Sequence, residues 1–145
     1  MKRTIVVTWG ESITRSHSLC FRLGFEDFHI KPKYSGYFGK LFNYFRATYL
    51  QFIKLTFGHY ERVIVVSPPV FTIYIAYLSR FFTQSKFEIV IDCHNGVLRR
   101  EWAFWPLLKL LMRRSDIVLS HNNIVKSSLD DFFCVCSDVL TDPLM

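Results

Sequence analysis

Short apolar runs rich in β-branched residues alternate with longer amphipathic segments along the whole chain. The short runs are typical of β-strands, and the longer segments have the length and periodicity of α-helices. The predicted strands cover residues 4–8, 25–30, 62–67, 87–91, 116–120 and 139–140, of which the second and the last have the weakest patterns. The predicted helices cover residues 13–23, 37–57, 70–82, 106–114 and 124–133.

This alternation predicts an α/β fold, with one Rossmann-like, doubly wound parallel sheet that carries helices on both faces. A strand covered on both faces should be apolar nearly throughout, and residues 62–67 and 87–91 meet that expectation. The length of 145 residues corresponds to about one domain. Because the sequence shows no internal repeat, low-complexity tract or linker, we predict a single domain over residues 1–145.

Polar side chains follow several of the predicted strands. Right-handed crossovers bring the carboxyl ends of parallel strands to one edge, where open α/β sheets bind their ligands. Asp92 and His94 follow the fourth strand two residues apart, so an extended backbone directs both side chains the same way. A carboxylate beside an imidazole suits general base chemistry. The alternative is that Asp92 caps the next turn and that His94 is a structural histidine.

Further candidates are expected at the same edge of the sheet. They are Trp9, Gly10, Arg15, His17, Asn95, Gly96, Arg99, His121 and Asn122. Arg15 and His17 fall in the first turn of a predicted helix, where backbone N–H groups and the helix dipole favour anions. The loop after the first strand contains neither a G-x-G-x-x-G nor a G-x-x-x-x-G-K-[ST] fingerprint. Three of the five histidines are expected at this edge, but their spacing matches no metal motif, so no metal site is predicted.

The predicted helix over residues 37–57 has an unusually narrow polar stripe. At about 100° per residue, one side contains Lys40, Asn43, Ala47, Gln51 and Lys54, and the opposite side contains Phe38, Phe42, Phe45, Tyr49 and Phe52. One interpretation is a helix packed on the sheet and on a neighbouring helix. The other is that part of the aromatic side contacts a membrane or a partner, with the lysines binding anionic headgroups.

Composition and charge narrow the class of protein. The formal net charge of +6 favours anionic partners, but no nucleic-acid-binding motif is recognisable, so nucleic acid is not an expected partner. Four cysteines match no common zinc or redox spacing and are interpreted as buried free thiols of a reducing compartment. No apolar run is long enough for a signal peptide or a membrane span. We therefore expect a cytoplasmic protein, with peripheral binding to the inner face of the plasma membrane as an extension of that expectation.

Three segments after the first strand carry a family resemblance. They are VIVVSPP at residues 63–69, IVIDCHNG at residues 89–96 and RSDIVLSHNN at residues 114–123. In this order and at this spacing, they resemble the N-terminal half of GT-B glycosyltransferases. The likeness is greatest to the family 4-like group, which builds bacterial surface polysaccharides and glycolipids. The resemblance covers nearly the whole chain.

The resemblance implies the acceptor-side domain of an enzyme that moves a sugar from a nucleotide-sugar donor to a lipid-linked or polysaccharide acceptor. It implies that His94 is the base or positioning residue, that Asp92 orients it, and that the other candidates contact the acceptor. Arg15 and Arg99 are expected at a lipid-linked phosphate.

The E-x-x-x-x-x-x-E donor motif of such enzymes is absent from these residues. The chain alone is therefore expected to be inactive, and a nucleotide sugar is expected to bind only with a donor domain, which a partner chain could supply. No other cofactor is predicted. The alternative function is a non-catalytic subunit that docks a split glycosyltransferase to a membrane or a partner.

Overall fold

The computed structural model describes residues 3–10, 14–83 and 86–140, apart from the side chains of residues 14, 15 and 19. Six parallel strands form one sheet in the order β2-β1-β3-β4-β5-β6. The strands are β1 (Thr4–Trp9), β2 (Glu26–Ile30), β3 (Arg62–Ser67), β4 (Glu88–Cys93), β5 (Ile117–Ser120) and β6 (Asp138–Val139). The helices are α1 (Thr14–Leu23), α2 (Gly36–Phe57), α3 (Phe71–Phe82), α4 (Arg100–Ala103), α5 (Leu108–Arg114) and α6 (Asn123–Phe133). The predicted parallel α/β fold is confirmed.

Alternating residues of the central strands fill two separate apolar layers. The larger layer takes the odd-numbered residues, among them Ile5, Val63 and Ile89. The smaller layer takes the even-numbered residues, among them Val6, Ile64 and Val90. Side chains of α2, α3, α5 and α6 complete the larger layer, and Cys20 of α1 belongs to the smaller one. Helices therefore lie on both faces, which explains why these strands are apolar at nearly every position.

The structure differs from the prediction on the carboxyl side of β4. The strand continues through Asp92 to Cys93, because both residues keep their partners on β3 and β5 in register. A 3₁₀ turn, Asn95–Leu98, follows it. A short helix outside the predicted ones, α4, begins at Arg100, where the Arg99 carbonyl accepts hydrogen bonds from the next turn and Ala103 is buried.

The polar stripe of α2 packs against the rest of the fold, and the aromatic side faces outward. Ala47, Gln51 and Leu55 are buried. Gln51 donates a hydrogen bond from Nε2 to the Thr72 carbonyl at 2.8 Å, which ties α2 to the start of α3. The interpretation of a packed helix is therefore correct only for the polar stripe of α2. Its small and hydrogen-bonding side chains permit the close approach of α2 and α3.

Asn43 closes the loop that precedes α2. Its Oδ1 accepts hydrogen bonds from the backbone N–H groups of Lys33 and Tyr34, at 2.8 and 3.1 Å. Its Nδ2 donates a third hydrogen bond to the Tyr34 carbonyl at 2.7 Å. The loop over residues 31–35 is thus fixed to the first turns of α2 by one amide side chain.

Asp130 on α6 holds the segment that leads into β6. Its Oδ1 accepts hydrogen bonds from the backbone N–H and the hydroxyl of Ser137, at 2.8 and 2.7 Å. Its Oδ2 accepts one from Lys126 Nζ at 2.6 Å. Burial acts to raise the pKa of the Asp130 carboxyl, but the hydrogen bonds from Lys126 and Ser137 outweigh it and lower that pKa.

The burial of α2 predicts a large difference between two truncations on this helix. Leu55→Ala should lower the free energy of unfolding by about 2–5 kcal/mol, because it opens a cavity under a side chain with no exposed surface. Tyr49→Ala, on the outward side, should change it by no more than ~0.5 kcal/mol. Urea unfolding of both variants measures the difference. Equal losses would contradict the orientation of α2.

The lowered pKa of Asp130 predicts a pH-dependent contribution to stability. The ionised carboxylate stabilises the fold above its ordinary pKa of about 4, and this contribution is lost as the pH falls through the lowered pKa of the folded state. Asp130→Asn should therefore be less stable than the wild type at neutral pH, and the gap should narrow as the solution is acidified. Urea unfolding across a pH series tests this. A gap that stays constant would mean that the carboxylate charge is irrelevant.

Candidate functional site

Two histidines meet at the carboxyl ends of β4 and β5. Cys93 and Ser120 are partners in the ladder, so the residues that follow them lie side by side. The rings of His94 and His121 have their centroids 5.3 Å apart, with their planes at 45°. We call these two residues the histidine pair. The His94 backbone N–H donates to the Ser67 carbonyl of β3 at 2.9 Å, which fixes where the pair begins.

Asp92 lies beneath His94. Its Oδ2 is 3.9 Å from His94 Nε2, and the two side chains are 2% and 38% exposed. The two-residue spacing therefore brings the groups together, as the sequence predicted. The negative charge of the buried carboxylate lies next to the half-exposed imidazole, and the ring stays accessible to an incoming hydroxyl. The arrangement suits a general base.

The second histidine of the pair has an unused polar atom. Among the described residues, His121 Nδ1 is buried and has no hydrogen-bond partner. Such atoms are uncommon in folded proteins and need an explanation at each occurrence. The neighbouring Asn122 has a structural task, because its Oδ1 accepts the Val125 backbone N–H at 2.8 Å and caps α6. His121 is therefore the better candidate of the two for contact with a ligand.

Cys93 lies between Asp92 and His94 but cannot serve as a nucleophile in this state. Burial, with the Asp92 charge beside it, raises the pKa of the Cys93 thiol. The thiol therefore stays protonated at neutral pH, and only the thiolate is strongly nucleophilic. Cys93 packs instead in the larger apolar layer. Cys20 is buried as well, whereas Cys134 and Cys136 are exposed, so the expectation of buried thiols is correct for two of the four cysteines.

The turn after β4 fits tightly against the end of β3. A Cβ placed on Gly96 would lie 2.7 Å from Pro68 Cγ, so only glycine fits there without a shift. Asn95 and Arg99, also in or next to this turn, are exposed. Gly96 therefore has a packing role, and the exposed side chains of Asn95 and Arg99 are the ones free to meet a ligand.

A cavity of about 300 Å³ opens at the carboxyl ends of β1 and β2, beside α2. Its lining residues are Trp9, Gly10, Ile30, Lys31, Pro32, Lys40, Asn43, Tyr44, Ala47 and Pro69. Two of these residues are cationic and none is acidic, so the cavity favours an anionic group. Through Pro69 it borders the β1/β3 position, where the strand order reverses, which is the usual ligand crevice of a doubly wound sheet.

His29 shapes the wall of this cavity at Gly10. Its Nε2–H donates to the Gly10 carbonyl at 2.6 Å, and the Gly10 N–H donates to the Ile30 carbonyl at 3.2 Å. Gly10 has a φ of 129°, a conformation that other residues rarely adopt. Sequence reasoning placed Trp9 and Gly10 here but missed His29, because β2 has a weak strand pattern.

Sequence reasoning also missed most of the other cavity residues, including Lys31, Lys40 and Tyr44. The two lysines come from the loop before α2 and from its first turns, and they meet the end of β1 only in the folded chain. The one sequence feature that indicates a basic surface here is the presence of two lysines within residues 31–33. Burial raises the pKa of the Tyr44 hydroxyl, so this side chain remains neutral.

Helix α1 brings fewer candidate side chains to the carboxyl ends of the strands than the sequence predicted. His17 was expected there with the other two histidines, but its Nδ1 lies 2.6 Å from Asp27 Oδ2. Asp27 is paired with Val6, three residues before the end of β1, so His17 belongs to the middle of the sheet. The side chain of Arg15, the other candidate from this helix, lies outside the described residues.

One short segment separates the histidine pair from the cavity. Pro69 lines the cavity, Pro68 contacts the turn of Gly96, and the Ser67 carbonyl holds His94. The lining of the cavity does not include either histidine. The carboxyl edge of the sheet therefore has two adjacent parts, the histidine pair and the cavity with its two lysines, and residues 67–69 lie between them.

Comparison with known proteins adds no assignment. No protein-family model matches the sequence, and no curated protein sequence matches it. Over residues 3–10, 14–83 and 86–140, no group of three or more His, Cys, Asp or Glu side chains could hold a metal ion.

The fit of Gly96 against Pro68 predicts the effect of adding a single methyl group. Gly96→Ala should lower the free energy of unfolding by about 1–3 kcal/mol, because the new Cβ overpacks a site with a rigid neighbour. It should also shift the NMR signals of the His94 ring, two residues away. Asn95→Ala, at the exposed neighbouring position, is the matched control and should be nearly neutral. A neutral Gly96→Ala with unshifted His94 signals would contradict the tight fit.

Proposed function

We propose that this protein is the acceptor-side domain of a glycosyltransferase that moves a sugar from a nucleotide-sugar donor to a lipid-linked or polysaccharide acceptor. The observation that carries the proposal is the buried Asp92 carboxylate next to the half-exposed His94 ring, at the ligand edge of a parallel sheet. The motif resemblance to GT-B enzymes supports the same reading. The second domain of such an enzyme would hold the donor across a cleft.

In this reaction His94 accepts the proton of the attacking acceptor hydroxyl. The acceptor oxygen forms a bond to the anomeric carbon while the bond from that carbon to the nucleoside diphosphate breaks. The nucleoside diphosphate leaves with the electron pair of the broken bond. Asp92 orients the imidazole and stabilises the imidazolium that forms. The ring of His121 lies beside that of His94. In this proposal it contacts the same hydroxyl or its neighbour.

The cavity supplies a binding place for an anionic part of the acceptor. Lys31 and Lys40 are its cations, and no acidic side chain opposes them. Ammonium groups of this kind bind phosphate as point charges. A sugar or lipid joined through phosphate would therefore lie in the cavity and reach past residues 67–69 towards His94. This separates acceptor recognition from proton transfer.

His94→Gln tests the proposed base. Transfer by the enzyme that contains this domain, in one chain or completed by a donor-domain chain, should lose about 10²- to 10⁴-fold in kcat. The acidic limb of the pH–rate profile should also disappear, because glutamine cannot take the proton. His59→Asn is the matched control, since His59 is exposed and has a φ of 50°, which asparagine tolerates. Unchanged turnover in His94→Gln would remove His94 from the mechanism.

A further inference from the structure

We propose that α2 lies flat on an anionic membrane surface, with its outward side inserted between the headgroups. The outward side, here called the aromatic face, consists of the exposed residues Phe38, Leu41, Phe42, Phe45, Tyr49, Ile53 and Phe57. Phe38, Phe45 and Tyr49 are 73%, 66% and 64% exposed. These residues recur every three or four positions, so they form a single stripe along a helix of 22 residues.

The aromatic face continues beyond α2 onto the end of α3. The rings of Phe52 and Phe82 are in contact, with centroids 5.8 Å apart and planes at 80°. Phe82 in turn contacts Phe81, which is itself largely exposed. The result is a contiguous apolar surface that spans two helices, and soluble proteins rarely expose such surfaces unless something covers them.

The charges around the aromatic face identify what covers it. The helix contains Lys40, Arg46 and Lys54, and no acidic residue. Lys54 is paired with Glu26, at 2.7 Å, and Lys40 lines the cavity on the other side of the helix. The cation of α2 that borders the aromatic face is therefore Arg46, one turn from Phe42 and Tyr49, which also donates a hydrogen bond to the Lys31 carbonyl at 3.1 Å. Lys31 and Lys33 precede the helix. A row of aromatic side chains bordered by cations is typical of helices that lie in the interface of an anionic bilayer.

The geometry fits a helix that lies on the surface rather than one that crosses the bilayer. Within the described ranges, no helix is long and apolar enough to span a membrane. The opposite side of α2 is committed to the fold through Ala47, Gln51 and Leu55, so only one side can enter lipid. This inference is independent of the proposed transferase activity. Docking in this orientation would bring the cavity, which α2 helps to line, close to the headgroups.

Vesicle flotation of the full chain tests the proposal directly. At low salt the protein should float with vesicles made of equal parts phosphatidylglycerol and phosphatidylcholine, and it should float much less with phosphatidylcholine alone. Binding should weaken as salt is added, because the cations act through a screened attraction. Flotation requires no sugar donor or acceptor, so its result is separate from that of the transfer assay.

Paired variants assign the binding to the aromatic face. The double variant Phe45→Ala and Tyr49→Ala should bind anionic vesicles at least roughly tenfold more weakly, because two rings no longer enter lipid. Phe21→Ala is the matched control: Phe21 is 91% exposed, but it lies on α1, on the opposite face of the sheet. Lys33→Gln should weaken binding roughly fivefold, and Arg22→Gln on α1 should leave it unchanged.

Three outcomes would overturn the proposal. One is the absence of flotation with anionic vesicles at low salt. Another is flotation that the double variant leaves unchanged, since binding would then use a different surface. The third is a dimer that the double variant dissociates, together with no vesicle binding, because a second copy of the chain would then cover the aromatic face. Light scattering of the wild type and the double variant provides that last measurement.

Discussion

The structure depends on the burial of the central strands on both faces. Residues such as Ile5 and Val63 enter one apolar layer and Val6 and Ile64 enter the other, so a polar side chain can be placed only towards the strand ends. Asp92 lies near such an end, and among the residues that the structure describes it is the one charged residue that is buried. A buried charge is costly unless it is compensated, which makes its position beside an accessible imidazole the most informative in the molecule.

The strand ends could be predicted from the sequence because they follow from local patterns. Apolar, β-branched runs fix β1, β3, β4 and β5, and right-handed crossovers then bring together the residues after β4 and β5. The prediction for His17 was wrong. Its position in the first turn of a helix did not indicate that its side chain would contact Asp27 on β2. The cavity was found only in part. Its two cations, from the loop before α2 and from the first turns of α2, meet the end of β1 only in the folded chain, and no local pattern contains this relation.

The side of α2 that faces the fold could not be predicted from the sequence. Periodicity tells which residues share a side of a helix, but not which side faces the fold, and the more apolar side is the usual choice. Here the choice is reversed. Ala47 is small enough for a close approach to the fold, and Gln51 and Asn43 are each engaged in hydrogen bonds to backbone groups. Side-chain hydrogen bonds to the backbone thus determine which side of α2 faces inward, and phenylalanine side chains cannot form them.

A row of rings runs from the cavity across the helices. The centroids of Trp9 and Tyr44 are 6.1 Å apart, those of Tyr44 and Phe71 are 5.4 Å apart, and those of Phe71 and Trp105 are 4.7 Å apart. Indole emission depends on its surroundings, and Trp9 forms part of the cavity wall. Trp9 is therefore an intrinsic fluorescent probe of the cavity. A ligand in the cavity should change the contribution of Trp9 to the intrinsic fluorescence, which can be measured with no attached dye and before any substrate is known.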